Sequence, residues 1–139
     1  MTPFSSALTL RQRGRFTEAL RELDSMSLSH EQSSSSEVLR AELLERVGRT
    51  GQARTLASSL LLRHRLAPSE RSACECVLGR GSLQEGDTEK AIAHFQRSAS
   101  LAAEGNDLER LCRTQYLLMM IVSDRAGQSD LYLIDVGEK

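Results

Sequence analysis

Residues Val77 to Ala99 read VLGRGSLQEGDTEKAIAHFQRSA, and the chemistry of this stretch decides the fold class. Apolar residues recur at spacings of three and four on both sides of Gly86-Asp87, which is the period of one helix face. Gly86 suits the end of the first helix because it takes positive φ with no steric penalty, and Asp87 suits the start of the next because its side chain can cap exposed amides. The stretch predicts helix, tight turn, helix.

Working outward, the punctuation recurs. Gly14, Gly48, Gly86 and Gly127 stand 34, 38 and 41 residues apart, each after an amphipathic stretch. An alanine follows the first three by five positions, at Ala19, Ala53 and Ala91, within GRFTEAL, GRTGQAR and GDTEKAI. Small residues there let two helices approach closely. A recurrent unit of this size signals a solenoid, in which a hairpin buries its apolar flank only against its neighbours. Alternation of β-branched residues is absent before Leu131 to Val136, and prolines number only two. The expected fold is all-α, with helices near 5–13, 16–27, 35–47, 51–65, 70–85, 88–103 and 107–126. Ser34 with Glu37, and Asn106 with Glu109, have capping-box spacing. Residues 33–36 then form a connector, and Pro68 marks a helix boundary.

Composition narrows the function classes. The 139 residues and 15.4 kDa hold one domain or a short repeat array. With 40% hydrophobic and 27% charged residues the chain belongs among folded proteins, and a net charge of -1 removes any overall drive toward nucleic acid or anionic membrane. The longest apolar stretch, Tyr116 to Val122, has seven residues, against the roughly 20 of a membrane-spanning helix. Met1 to Leu10 lacks a basic segment followed by an apolar core, so a cytoplasmic location is expected. Three cysteines, with Cys74 and Cys76 adjacent in a Cys-x-Cys and Cys112 distant, form neither a disulfide framework nor a zinc pattern. On a helix the pair points about 200° apart. No metal and no cofactor is expected.

The 77–99 stretch resembles the tetratricopeptide repeat family: Leu78-Gly79 is its Leu-Gly pair, Gly86-Asp87 its turn, and Ala91 with Phe95 its Ala-x-x-x-aromatic pair. The first unit keeps Gly14, Phe16, Ala19, Leu20 and Leu23. The second keeps Ala41, Gly48 and Ala53, with Ala57 in the aromatic's place. The fourth keeps Tyr116 and Gly127 but has Tyr132 where the alanine belongs. The resemblance covers about residues 3–127. It implies a right-handed superhelical array of antiparallel helix pairs, about three and a half repeats over residues 1–127, with 128–139 as a tail that caps the array or starts another unit. The two longer spacings look like extended repeats of bacterial regulatory proteins. Sixteen of the eighteen basic residues are arginine, as a GC-rich genome would produce.

Carried over residue by residue, the family's register puts a partner-binding concave face on the first helix of each pair. It comprises Leu8, Arg11 and Gln12, then Val38, Glu42, Glu45 and Arg46, then Cys76, Arg80, Leu83 and Gln84, then Leu117, Ile121, Asp124 and Arg125. Such a mixture suits a peptide or helix, and arginine forks pair with acidic segments. The Lys and Asn set by which some members clamp a terminal carboxylate is absent. The bland alternative for each charge is a solvated face with intrahelical pairs. Likewise, the Tyr116–Val122 run either packs on the preceding pair and the tail, or forms a methionine-rich docking surface, including one between two copies.

Catalysis has little support. His30, His64 and His94 lie on a presumed loop and two different helices, none within a catalytic motif, and phosphate loops, zinc-protease helices and nucleophile elbows are missing. The arginine clusters 11–15 and 63–65 have no interleaved aromatics for base stacking, so nucleic acid is not an expected partner. The sequence leads to a non-catalytic scaffold for a partner protein, or alternatively to the sensory arm of a larger bacterial transcription regulator.

Overall fold

A computed structural model describes the backbone of residues 3–27, 34–63 and 65–137, and the side chains of 4–25, 34–62 and 65–124. Among these residues the protein has seven helices and no strand: α1 (Pro3–Gln12), α2 (Phe16–Ser27), α3 (Ser34–Arg46), α4 (Thr50–Arg63), α5 (Pro68–Gln84), α6 (Thr88–Glu104) and α7 (Leu108–Gly137). Each packs on the next in chain order; α5 also packs on α3 and on α7. No helix of the described residues is long and apolar enough to cross a membrane.

The turns show why the boundaries fall where they do. Gly14, Gly48 and Gly86 have φ of 77°, 91° and 81°. At each, two backbone bonds close the preceding helix: Gly14 N donates to Arg11 O and Arg15 N to Leu10 O, with equivalent pairs at Gly48 and Gly86. This is the Schellman arrangement, in which a left-handed residue lets the chain reverse while the last carbonyls keep partners. Asp87 then caps α6, accepting from Lys90 N at 3.1 Å.

A fourth turn of the same geometry occurs between α6 and α7, and it has no glycine at its centre. Asn106 holds φ 56°, Asn106 N donates to Ala103 O, and Asp107 N donates to Ala102 O. Asparagine tolerates this region better than other side chains. The cap is Asp107, accepting from Arg110 N at 3.2 Å, so the expected Asn106–Glu109 capping box gives way to a turn residue followed by its own cap. The expected turn at Gly127 is corrected as well. Helix α7 runs through Gly127 to Gly137. A glycine inside a helix costs only about 1 kcal/mol, and the residues after it carry no cap or proline that would stop the ladder. Residues 128–137, expected as a tail, therefore continue α7, while 138–139 lie outside the described residues.

At the centre lies α5. Its buried positions are Ser72, Ala73, Cys74, Cys76, Val77, Gly79, Gly81 and Ser82. A helix with neighbours on four sides has room only for small side chains, which explains why this one lacks a clean polar face. Cys74 joins the core built by α1 to α5, with Leu23, Leu43 and Leu60, whereas Cys76 joins a second cluster with Ala91, Phe95 and Ile121. The pair does point to opposite sides. Gly79 is where Phe95, fully buried, lies against the α5 backbone: a Cβ there would sit 2.7 Å from the ring. One turn pair away, Ser72 and Ser98 exchange bonds, each hydroxyl donating to the other's carbonyl at 2.6 and 2.8 Å. Within α7, Leu117, Leu118 and Ile121 turn into the second cluster, while Tyr116, Met119, Met120 and Val122 are exposed.

Candidate functional site

The first helix of each hairpin, together with α7, borders one groove. Its floor is α5, where Ala73 and Cys76 are too short to fill it. Arg11, Gln12, Phe16, Glu42, Arg46, Glu109 and Arg113 line a cavity of about 310 Å³ between α1, α3 and α7. The groove continues over α5 past Glu45, Arg80 and Arg110.

Glu42 organises this surface. Its Oε1 accepts from Arg11 Nη1 at 3.4 Å and its Oε2 from Arg110 Nη1 at 3.2 Å, so one carboxylate of α3 ties α1 to α7. Burial alone would lower the Arg110 pKa, yet the charge and hydrogen bond of Glu42 outweigh it and hold the guanidinium above its ordinary value. Arg110 Nε also lies 3.4 Å from Asp107 Oδ2, an ion-pair distance without hydrogen-bond alignment. Asp107 in turn accepts from Ser69 Oγ at 2.6 Å, which anchors the start of α7 to the start of α5. Burial pushes the Asp107 carboxyl up, and the bonds from Ser69 and the Arg110 amide, with the nearby charge of the Arg110 guanidinium, more than reverse this, so it lies below the usual carboxylate range.

Arg46 is in the opposite situation. Burial first, then the positive charges of Arg80 and Arg113, lower its pKa, with Glu45 only partly compensating. Its guanidinium carbon lies 5.7 Å from the Phe16 ring centroid, which orients the planar fork from one face. Glu45 Oε2 is 4.0 Å from Arg46 Nε, and Arg113 Nη2 donates to the exposed Glu109 at 2.6 Å.

Of the residues expected on the concave face, the structure brings Arg11, Glu42, Glu45, Arg46, Arg80 and Cys76 together along this groove, with Leu8 and Val38 at its α1–α3 end. Gln84 points elsewhere, accepting from Thr50 Oγ1 at 2.6 Å. Leu83, Leu117 and Ile121 are core residues. Asp124 is exposed beyond the groove, and the side chain of Arg125 lies outside the described residues. The fourth helix contributes Arg110, Arg113 and Glu109 instead. They stand about two turns earlier than the expected positions, because the unit before them closes at Asn106. The signal in the sequence was Asp107-Leu-Glu-Arg, an N-cap followed by a first turn.

His94 Nδ1 meets Glu75 Oε1 at 2.8 Å on the α5–α6 side, with Arg97 Nε 3.5 Å from the same oxygen; His30 and His64 lie outside the described residues. Among the described residues no group of His, Cys, Asp or Glu could hold a metal ion. Burial pushes Cys74 up to about 12, and burial likewise raises Cys76 against the pull of Arg80 and Arg110, so at both positions burial favours the protonated thiol, the less nucleophilic form. No protein-family model, no curated protein and no solved structure matches this chain.

Proposed function

We propose that this chain is a non-catalytic helical-repeat scaffold of the tetratricopeptide kind, holding a peptide or helix of a partner protein in the groove between α1, α3, α5 and α7. One observation carries the reading: an open groove, floored by small residues and bordered by oriented arginines and glutamates, runs along the first helix of each hairpin. Support for the repeat architecture comes from the successive hairpin packing, from turns of one geometry at Gly14, Gly48 and Gly86, and from the Gly79–Phe95 contact at the family's paired positions. The small rotation from one repeat to the next gives a solenoid an extended concave surface to which several units contribute, which suits it to a long segment.

The test is affinity capture with mass spectrometry, using the full chain and Arg80→Glu in parallel, with circular dichroism as the folding control. The groove reading expects a partner that the wild type retains and the variant loses at unchanged helicity. Equal capture by both proteins would place the partner elsewhere.

A second reading, the sensory arm of a larger transcription regulator, draws on the exposed Tyr116, Met119, Met120 and Val122 of α7. An apolar row of this kind is what a further element of the same assembly would cover. Under this reading, Met119→Glu in the intact regulator uncouples its response while partner capture persists.

A further inference from the structure

We infer that the α3–α5–α7 end of the groove is an anion subsite, in which Arg46, Arg80 and Arg113 receive acidic side chains of the partner segment. The inference rests on the groove being the partner site, and names the chemistry that the partner brings.

The charge balance of the lining leads there. Five arginines, Arg11, Arg46, Arg80, Arg110 and Arg113, face three glutamates, Glu42, Glu45 and Glu109. The three glutamates are unequally useful. Glu42 is shared between Arg11 and Arg110, so its charge is neutralised within the hub. Glu109 pairs with Arg113 but is 81% exposed, and a solvated pair of this sort holds its partner weakly. Glu45 stands beside Arg46 at the limit of ion-pair distance, 4.0 Å from Nε. Arg46, Arg80 and Arg113 then face only Glu45 and the solvated Glu109, which leaves one positive charge in excess where the three converge.

Geometry makes this surplus usable. The Arg46 guanidinium rests over the Phe16 ring and lines the groove, and a planar fork supported on one face is suited to a two-pronged bond to a carboxylate. The repulsion among the three cations, felt by Arg46 together with its burial, is relieved when an anion enters. The adjoining cavity of about 310 Å³ is at the small end of the roughly 300–1,000 Å³ of ligand sites. It fits one or two side chains, as a subsite of a longer docked segment would. Arginine forks bind carboxylates and phosphates alike, and a net surplus of one charge at this corner favours the singly charged carboxylates of Asp and Glu.

The experiment uses the full-length chain and three synthetic decapeptide libraries, each random at alternate positions. The other positions hold Glu in the first, Gln in the second and phosphoserine in the third. The expected result is retention of the Glu library about tenfold or more above the Gln library at 50 mM salt, reduced at 500 mM. Arg80→Gln and Arg46→Gln should each abolish that preference at unchanged helicity. Equal retention of the Glu and Gln libraries overturns the anion subsite while leaving the groove reading intact, and that reading fails separately if Arg80→Glu captures partners as the wild type does. Retention of the phosphoserine library alone reassigns the ligand to phosphorylated side chains and overturns the carboxylate proposal. No retention of any library, or a Glu preference that survives both substitutions, also overturns it.

Discussion

Gly79→Ala is the smallest change that tests how α5 and α6 are joined. The new methyl would lie 2.7, 2.8 and 3.0 Å from three atoms of the Phe95 ring, inside the separation that real methyl groups tolerate. Phe95 has no room to retreat, since it is fully buried among Cys76, Ala91 and Ile121. Overpacking of this kind costs about 1–3 kcal/mol. A 2.7 Å contact against a fully buried ring belongs in the upper part of that range, about 2–3 kcal/mol, and since replacing a helical glycine by alanine returns about 1 kcal/mol through propensity, the net loss is about 1–2 kcal/mol. For a chain of this length that lowers Tm by about 3–8 °C. Gly51→Ala is the control: it is exposed in the first turn of α4 and its methyl meets nothing within 4 Å, so stability should hold or rise by a few tenths of a kcal/mol. Urea and thermal unfolding followed by circular dichroism at 222 nm measure both variants. Adding Phe95→Leu to Gly79→Ala makes room for the methyl, so the double mutant should be more stable than the sum of the single changes by about 0.5 kcal/mol or more. A Gly79→Ala protein as stable as the wild type, or additive behaviour with Phe95→Leu, would refute the close approach.

Two further outcomes follow from titrating groups. The Asp107 carboxyl is held below its ordinary value in the folded chain, so its contribution to stability is complete above the unfolded value and disappears as pH falls through the folded one. Between pH 5 and 2.5 the wild type should lose more stability, by urea midpoint, than Asp107→Asn, which keeps an N-cap acceptor; identical slopes would contradict the Ser69–Asp107–Arg110 network. Cys112 is exposed whereas Cys74 and Cys76 are buried, so a chromogenic thiol reagent at pH 8 should react fast with Cys112 alone, and Cys112→Ser should remove that phase; rapid labelling of Cys74 or Cys76 in the native chain would show that α5 is not enclosed.

The helices were legible in the sequence because their causes are local. Apolar spacing, the three turn glycines and the caps place the starts and ends of α2, α3, α4 and α6 within a residue or two of the observed positions. The fourth turn was not legible by the same rule: Asn106 performs the task of Gly14, Gly48 and Gly86 without being glycine, and Gly127 sits inside a helix. A rule that reads residue type recognises the commonest solution to positive φ, whereas the chain needs only one that is adequate.

The groove divides the same way. That Arg11, Glu42, Arg46 and Arg80 belong to one face was what the resemblance implied, through a register carried over hairpin by hairpin. That Glu42 bonds both Arg11, 31 positions before it, and Arg110, 68 positions after it, depends on how far each hairpin is rotated on the last. Side-chain packing sets that rotation, through contacts such as Phe95 on Gly79 and Ser72 against Ser98. Local sequence determined the helices and their polar faces; the way the helices pack on one another decided which of those faces meet.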